Sequence, residues 1–178
     1  IYKEDFAREL LSSMLEKPSL FIRLNALKSD SKELEESLKL EDIDFKINGI
    51  IDVAYELSGM KNIGINPLFK KGGFVIQDLS SMLAVKALEP NEGEIILDIC
   101  SAPGGKSFYI ADLMSNKGKI DSMDISEHKI GMLNKRAIEL GIDIIKTSVM
   151  DATIYNPEMK TKYDKILVDA PCSGFGIM

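Results

Sequence analysis

In the first part of the chain, apolar positions recur every three or four residues, in bursts separated by short runs of β-forming residues. Phe6, Leu10, Leu11, Met14 and Leu15 share one face of a predicted helix, and Pro18 stops it. Phe21–Leu24 reads as a short strand. Ser31–Leu40 repeats the helical spacing, with Asp30 or Ser31 placed to cap it and acids from Glu33 to Glu36 in its first turns. Phe45–Ile47 and Val53–Leu57 read as further strands, and Asn66-Pro67 and Gly72-Gly73 punctuate the passage into the next unit. The pattern predicts a small α+β unit over residues 1–71.

From residue 72 the rhythm changes. Phe74–Gln77 is a predicted strand and Ser80–Leu88 a helix, and Pro90, Asn91 and Gly93 turn the chain. The unbroken apolar run of Ile95, Ile96 and Leu97, ending at Asp98, reads as a strand buried on both faces. Lys106–Met114 is helical, Ile120–Asp124 a strand, and Glu127–Leu140 a helix closed by Gly141. Ile144–Thr147 and Ile166–Asp169 are two more strands. Strands alternating with helices predict an α/β unit over residues 72–178, built on a parallel sheet with right-handed crossovers.

Composition narrows the classes. The 178 residues are 45% hydrophobic and 28% charged, which fits a folded, soluble domain. No apolar run approaches the roughly 18 residues that cross a bilayer, and no secretory signal opens the chain. Cys100 and Cys172 lie far apart, and His128 is the single histidine, so no metal site is expected and reduced thiols in a cytoplasmic protein are. His128 reads as a surface residue, and Met14, Met82, Met114 and Met132 read as core fillers. A net charge of −6 argues against a uniformly basic nucleic-acid surface but leaves room for a local one. Lys70-Lys71 and Arg23 are candidate phosphate contacts, with a solvated face as the plainer reading.

The candidate chemistry lies at the strand ends. After Asp98 comes a turn, Cys100-Ser101-Ala102-Pro103-Gly104-Gly105-Lys106, that leads into a helix. Paired glycines let backbone approach a ligand, and the helix N-terminus behind them offers free N–H groups. Asp124, Asp151 and Asp169 end or follow the next three strands, so with Asp98 four acids share one rim of a parallel sheet. An acid in Asp124's position can hold ribose hydroxyls, and Asp151 can reach an adenine edge. The turn has neither G-x-G-x-x-G nor a complete P-loop, since Cys100 stands where the first P-loop glycine belongs; a nucleoside cofactor without a pyrophosphate fits better.

Asp98-Ile-Cys-Ser-Ala-Pro-Gly-Gly-Lys106 resembles the first motif of the RNA cytosine-C5 methyltransferases, and Asp169-Ala-Pro-Cys-Ser-Gly174 resembles their fourth. Gly73–Ser81 is similar to the lead-in of that fold, and Arg23-Leu-Asn25 to the small N-terminal RNA-binding unit. Among them the likeness is to the Sun-type 16S ribosomal RNA enzymes. The resemblance implies a class I methyltransferase, Rossmann-like fold preceded by a small RNA-binding domain, with S-adenosyl-L-methionine as cofactor and RNA, ribosomal RNA foremost, as partner. It implies that Cys100, Ser101, Ala102, Pro103, Gly104, Gly105 and Lys106 cradle the methionine part, and that Asp124 binds the ribose. Asp151 then sits beside the adenine and Asp169 between cofactor and base. Ser101 stands where the family usually has Ala.

Methylation at cytosine C5 needs a thiolate to add at C6, so that C5 can take the methyl group, lose its proton and expel the thiol. Cys172, beside Asp169, has three candidate roles: product release, attack on C6, and packing. The resemblance puts release first, because RNA-specific members attack with a cysteine in a later Thr-Cys motif. Cys100 reads as a packed residue lining the turn. The motifs cover the first four strands of a seven-stranded sheet, so the chain is expected to be a truncated piece with Lys165–Asp169 as an exposed edge. The alternatives are a non-catalytic cofactor- or RNA-binding module, and a methyltransferase of other substrate sharing the fold.

Overall fold

The computed structural model describes residues 3–13, 15, 19–58, 63–160 and 162–171; Met14, Pro18 and Cys172 lie outside them. The described residues form two four-stranded sheets. Helix α1 (Glu4–Ser13) leads into β1 (Leu20–Leu24), α2 (Ser31–Leu40), β2 (Asp44–Ile47), β3 (Ala54–Ser58), the short α3 (Pro67–Lys70) and β4 (Phe74–Ile76). These strands make an antiparallel sheet in the order β2-β3-β1-β4. β4 pairs through Ile22↔Ile76 and Leu24↔Phe74, so the first sheet reaches past residue 71. Asp30 caps α2, its side chain accepting from the Glu33 N–H at 2.8 Å, and Leu34 and Leu38, one turn apart, are fully buried. Helix α1 forms as the spacing predicts, without a buried face. Its periodicity is real, but it buries no residue; Phe6, Leu10 and Leu11 stay exposed.

The second sheet is parallel. Helix α4 (Leu79–Leu88) precedes β5 (Ile95–Ile99), followed by α5 (Gly105–Leu113), β6 (Lys119–Asp124), α6 (Glu127–Leu140), β7 (Ile145–Val149) and β8 (Lys165–Val168). The order is β7-β6-β5-β8. The chain winds outward from β5 through β6 to β7, then returns to place β8 on the other side of β5. Strand order thus reverses at β5, and in open sheets of this kind the crevice outside the carboxyl ends at the reversal is where ligands bind. Ser126 caps α6, and Gly141 ends it at φ 76°, a left-handed position that glycine takes without steric cost.

Two clusters make up the core. One fills the N-terminal unit around Ile22, Leu34, Tyr55 and Phe74. The other packs Met82, Ile96, Ile110, Met114, Ile120 and Leu133 between the parallel sheet and its helices, and it also takes in Ile51, Ala54 and Val75 from the first unit. The two units therefore share apolar packing. Met82 and Met114 are buried as expected, whereas Met132 is exposed on the outer face of α6.

Candidate active site

The turn after β5 is held from below and from one side. Ser101 N–H donates to the Met123 carbonyl at 2.8 Å, and the Ser101 hydroxyl donates to the same oxygen at 3.1 Å. Ala102 N–H donates to Asp124 Oδ2 at 3.2 Å. The turn is thus stitched to the end of β6. Cys100 adopts φ 61° and Gly104 φ 109°. At Gly104 a side chain has no room, since a Cβ there would lie 2.4 Å from Phe108 Cζ and 2.8 Å from Leu133 Cγ. Its backbone lies against packed side chains beneath the turn.

A cleft of about 830 Å³ opens beside the turn, at the carboxyl ends of β5, β6, β7 and β8. That is the size of a typical small-molecule site. Cys100, Ala102, Asp124, Asp151 and Asp169 line it. Ser101, Pro103, Gly105 and Lys106 line a second, smaller pocket of about 320 Å³, together with Gln77, Asp78 and Asp98. Cys100, Ala102 and Asp169 border both, while Gly104 borders neither.

The acids differ in character. Asp124 is nearly buried and accepts the Ser126 N–H at 2.9 Å as well as that of Ala102. Each carboxylate oxygen keeps a lone pair beyond those bonds, so Asp124 can still accept from hydroxyl groups in the cleft. Asp151 takes the N–H and hydroxyl of Thr153, at 2.9 Å and 2.7 Å, and these bonds hold its carboxyl below the usual range. Asp169 pairs with Lys106 at 2.5 Å, and both residues line the smaller pocket. Asp98 is not on the open rim. It points inward, 1% exposed, and accepts the Ser107 hydroxyl at 2.6 Å; burial pushes its pKa up to about 6. The Cys100 thiol is likewise pushed up, first by burial and then by the charges of Asp124, Asp98 and Asp169. A thiol so placed holds little thiolate, which agrees with a lining role.

Three contributors carry little or no sequence signal. Ile125 and Met150 add apolar surface to the large cleft directly beside Asp124 and Asp151, and Gln77 reaches the smaller pocket from the first unit. Ile125 and Met150 have a local mark, each adjoining a strand-end acid; Gln77 is marked only by lying inside the Gly73–Ser81 stretch that resembles the family's lead-in. Arg23 requires a correction. It is no phosphate contact, because it is 1% exposed and its Nη1 pairs with Asp112 at 2.5 Å. Among the described residues no group of acids, histidines and cysteines is arranged to hold a metal ion.

An open parallel sheet reversing at β5, with strand-end acids around a glycine-containing turn, defines a Rossmann-like α/β domain of the class I methyltransferase kind. A family model described as 16S rRNA methyltransferase RsmB/F matches residues 85–178, and the chain belongs to that family. The probable ribosomal RNA small subunit methyltransferase B of Bacillus subtilis (strain 168) is 38% identical over 178 residues, covering 99% of this chain and 40% of that protein. The tRNA (cytosine(72)-C(5))-methyltransferase of Pyrococcus horikoshii is 41% identical over 109 residues, 61% of this chain and 28% of that protein. A crystal structure of a methyltransferase homolog protein from Pyrococcus horikoshii superposes with a TM-score of 0.87 at 30% identity, covering 99% of this chain and 61% of that one. The chain therefore spans 40% or less of the length of these two curated relatives.

Proposed function

We propose that this chain is the S-adenosylmethionine-binding part of a methyltransferase acting on C5 of cytosine in RNA. The observation that carries the reading is the lining of the large cleft: the acceptors Asp124 and Asp151 stand beside the apolar side chains of Ile125 and Met150, next to the Cys100–Lys106 turn. A nucleoside asks for that combination, with acceptors for the ribose hydroxyls and the adenine amine and flat apolar contact for the ring. The acids outnumber the lysines around the cleft, which favours a cationic ligand. When bound, the cofactor supplies an electrophilic methyl group on a sulfonium.

In this reading Asp124 holds the ribose, Asp151 meets the adenine edge, and Cys100, Ser101, Ala102, Pro103, Gly104, Gly105 and Lys106 cradle the methionine part. Asp169, steered by Lys106, faces the target base, and Cys172 assists product release. The unit built on the antiparallel sheet, which runs past residue 71 to take in β4, acts as the RNA-binding unit, and the parallel-sheet unit that follows acts as the cofactor-binding domain. Ribosomal RNA of the small subunit is the substrate favoured by the family description and by the Bacillus subtilis relative; the Pyrococcus horikoshii relative is named for a tRNA.

Calorimetric titration with S-adenosylmethionine tests the cofactor assignment. Asp151→Ala removes a half-buried acid whose side-chain hydrogen bonds are to Thr153, next to it in the same loop, so the fold should stay intact; affinity should fall about tenfold, one charged hydrogen bond's worth. Unchanged affinity would sink the assignment of Asp151. For the parent protein, methyl transfer from labelled cofactor to small-subunit rRNA and to tRNA transcripts, with bisulfite mapping, tests the substrate. Label on adenine instead of cytosine would overturn the reading.

A further inference from the structure

Helix α5 begins inside the cofactor turn, yet strands from the other sheet hold it. Gln77 follows β4, and its backbone N–H donates to the Phe21 carbonyl at 3.2 Å. Its side-chain amide is buried between Arg23 and the first residue of α5. Arg23 Nε donates to Gln77 Oε1 at 2.8 Å, and Gln77 Nε2 donates to the Gly105 carbonyl at 3.1 Å. Chemistry dictates this orientation. A guanidinium has only donors and a carbonyl only acceptors, so a flipped amide would set N–H against N–H and oxygen against oxygen.

Arg23 is itself immobilised. Its Nη1 pairs with Asp112 Oδ2 at 2.5 Å and donates to the Leu24 carbonyl at 3.3 Å, and its guanidinium lies 4.4 Å from the centroid of the Tyr109 ring. Gly105, Tyr109 and Asp112 fall on one face of α5, at successive helical turns. One arginine thus grips the helix in its middle and last turn and, through Gln77, at its first residue. Gln77, Gly105 and Lys106 line the same pocket.

We propose that Gln77, aimed by Arg23, is a positioning residue that sets the start of α5 and with it the Gly105–Lys106 end of the cofactor turn, which makes the first unit part of the cofactor site and not only an arm for RNA. The inference rests on reading that turn as the cofactor cradle. A mere brace between two units would make the same contacts, so the test must separate local position from overall stability.

Gln77→Glu does so. The carboxylate keeps an acceptor for Arg23, now charge-assisted, but loses the donor to Gly105. Hydrogen–deuterium exchange is compared in cofactor-free protein, followed by titration with S-adenosylmethionine. Faster exchange is expected in residues 100–109 with residues 20–58 unchanged, and affinity about tenfold weaker, as one misplaced polar contact produces. Arg23→Lys is the second variant; it keeps a charge opposite Asp112 but not the planar fork that also reaches Gln77, and the same local pattern is expected. Unchanged exchange at 100–109, or loosening spread equally over 20–58, overturns the proposal. Wild-type protein that binds no S-adenosylmethionine overturns the functional reading, while the exchange comparison still decides the positioning role.

Discussion

Asp98 is the residue whose environment differs most from its place in the sequence pattern. One oxygen accepts from Ser107, whose hydroxyl also shares a hydrogen bond with Ser122 at 2.8 Å; the other oxygen is buried with no hydrogen-bond partner among the described residues. Burial raises its pKa to about 6, Asp169 and Asp124 add to the rise, and the Ser107 bond and Lys106 oppose it. A carboxyl that holds its proton more tightly when folded stabilises the fold fully below the unfolded pKa. That stability is lost as pH climbs from about 4 to about 6. Asp98→Asn keeps the acceptor for Ser107 and removes the ionisation. Its stability relative to wild type should therefore grow across that window, by on the order of 2 kcal/mol, in urea titrations at pH 4, 5 and 6. A constant difference would refute the raised pKa. The buried Arg23–Asp112 pair gives a second expectation at this scale. Asp112→Ala leaves a buried guanidinium unpaired and should cost about 3–5 kcal/mol, whereas Arg23→Met with Asp112→Leu should cost less than that single change. A double variant as unstable as the sum of both would contradict it.

At the scale of elements, two glycines in neighbouring helices separate sharply. Gly104, the N-cap of α5, combines a left-handed backbone with packing against Phe108 and Leu133, so Gly104→Ala should cost about 2 kcal/mol or more. Gly131 lies exposed within α6, where a Cβ would meet nothing within 4 Å, and Gly131→Ala should stabilise by about 0.5–1 kcal/mol. Thermal melts of the two variants read both effects; shifts in the same direction would undo the argument. The sequence marks both positions simply as glycine. Their difference comes from what packs against each, and that is set by Leu133, on another helix, as much as by the local chain.

Across the whole molecule, the joint between the units is built from backbone ends and buried polar groups. Asn25 Nδ2 donates to the carbonyls of Gly72 at 2.8 Å and Leu140 at 3.1 Å, and Lys28 Nζ donates to the Glu139 carbonyl at 2.6 Å. The first unit thereby supplies donors to the free carbonyl end of α6 while Arg23 holds α5. With Ile51, Ala54 and Val75 in the core of the parallel sheet, neither unit can open without exposing the other. Calorimetry should show one unfolding transition with equal calorimetric and van't Hoff enthalpies, and Asn25→Ala should shift it as a whole. Two resolved transitions would show the units to be independent.

Local pattern was enough for most elements. α2 and α6 occupy the spans predicted from apolar spacing and caps, because those signals act within one or two turns of chain. The gathering of Asp124, Asp151 and Asp169 at one rim was also legible, since parallel strands point their carboxyl ends the same way. Tertiary structure alone decided the inward turn of Asp98, the exposure of α1 and Met132, the pairing of β4 with β1, and the fate of Arg23. Arg23 meets Gln77 at a separation of 54 positions and Asp112 at 89. Contacts that distant leave no periodicity to read, because they depend on how two finished sheets pack and not on the conformation of any one segment.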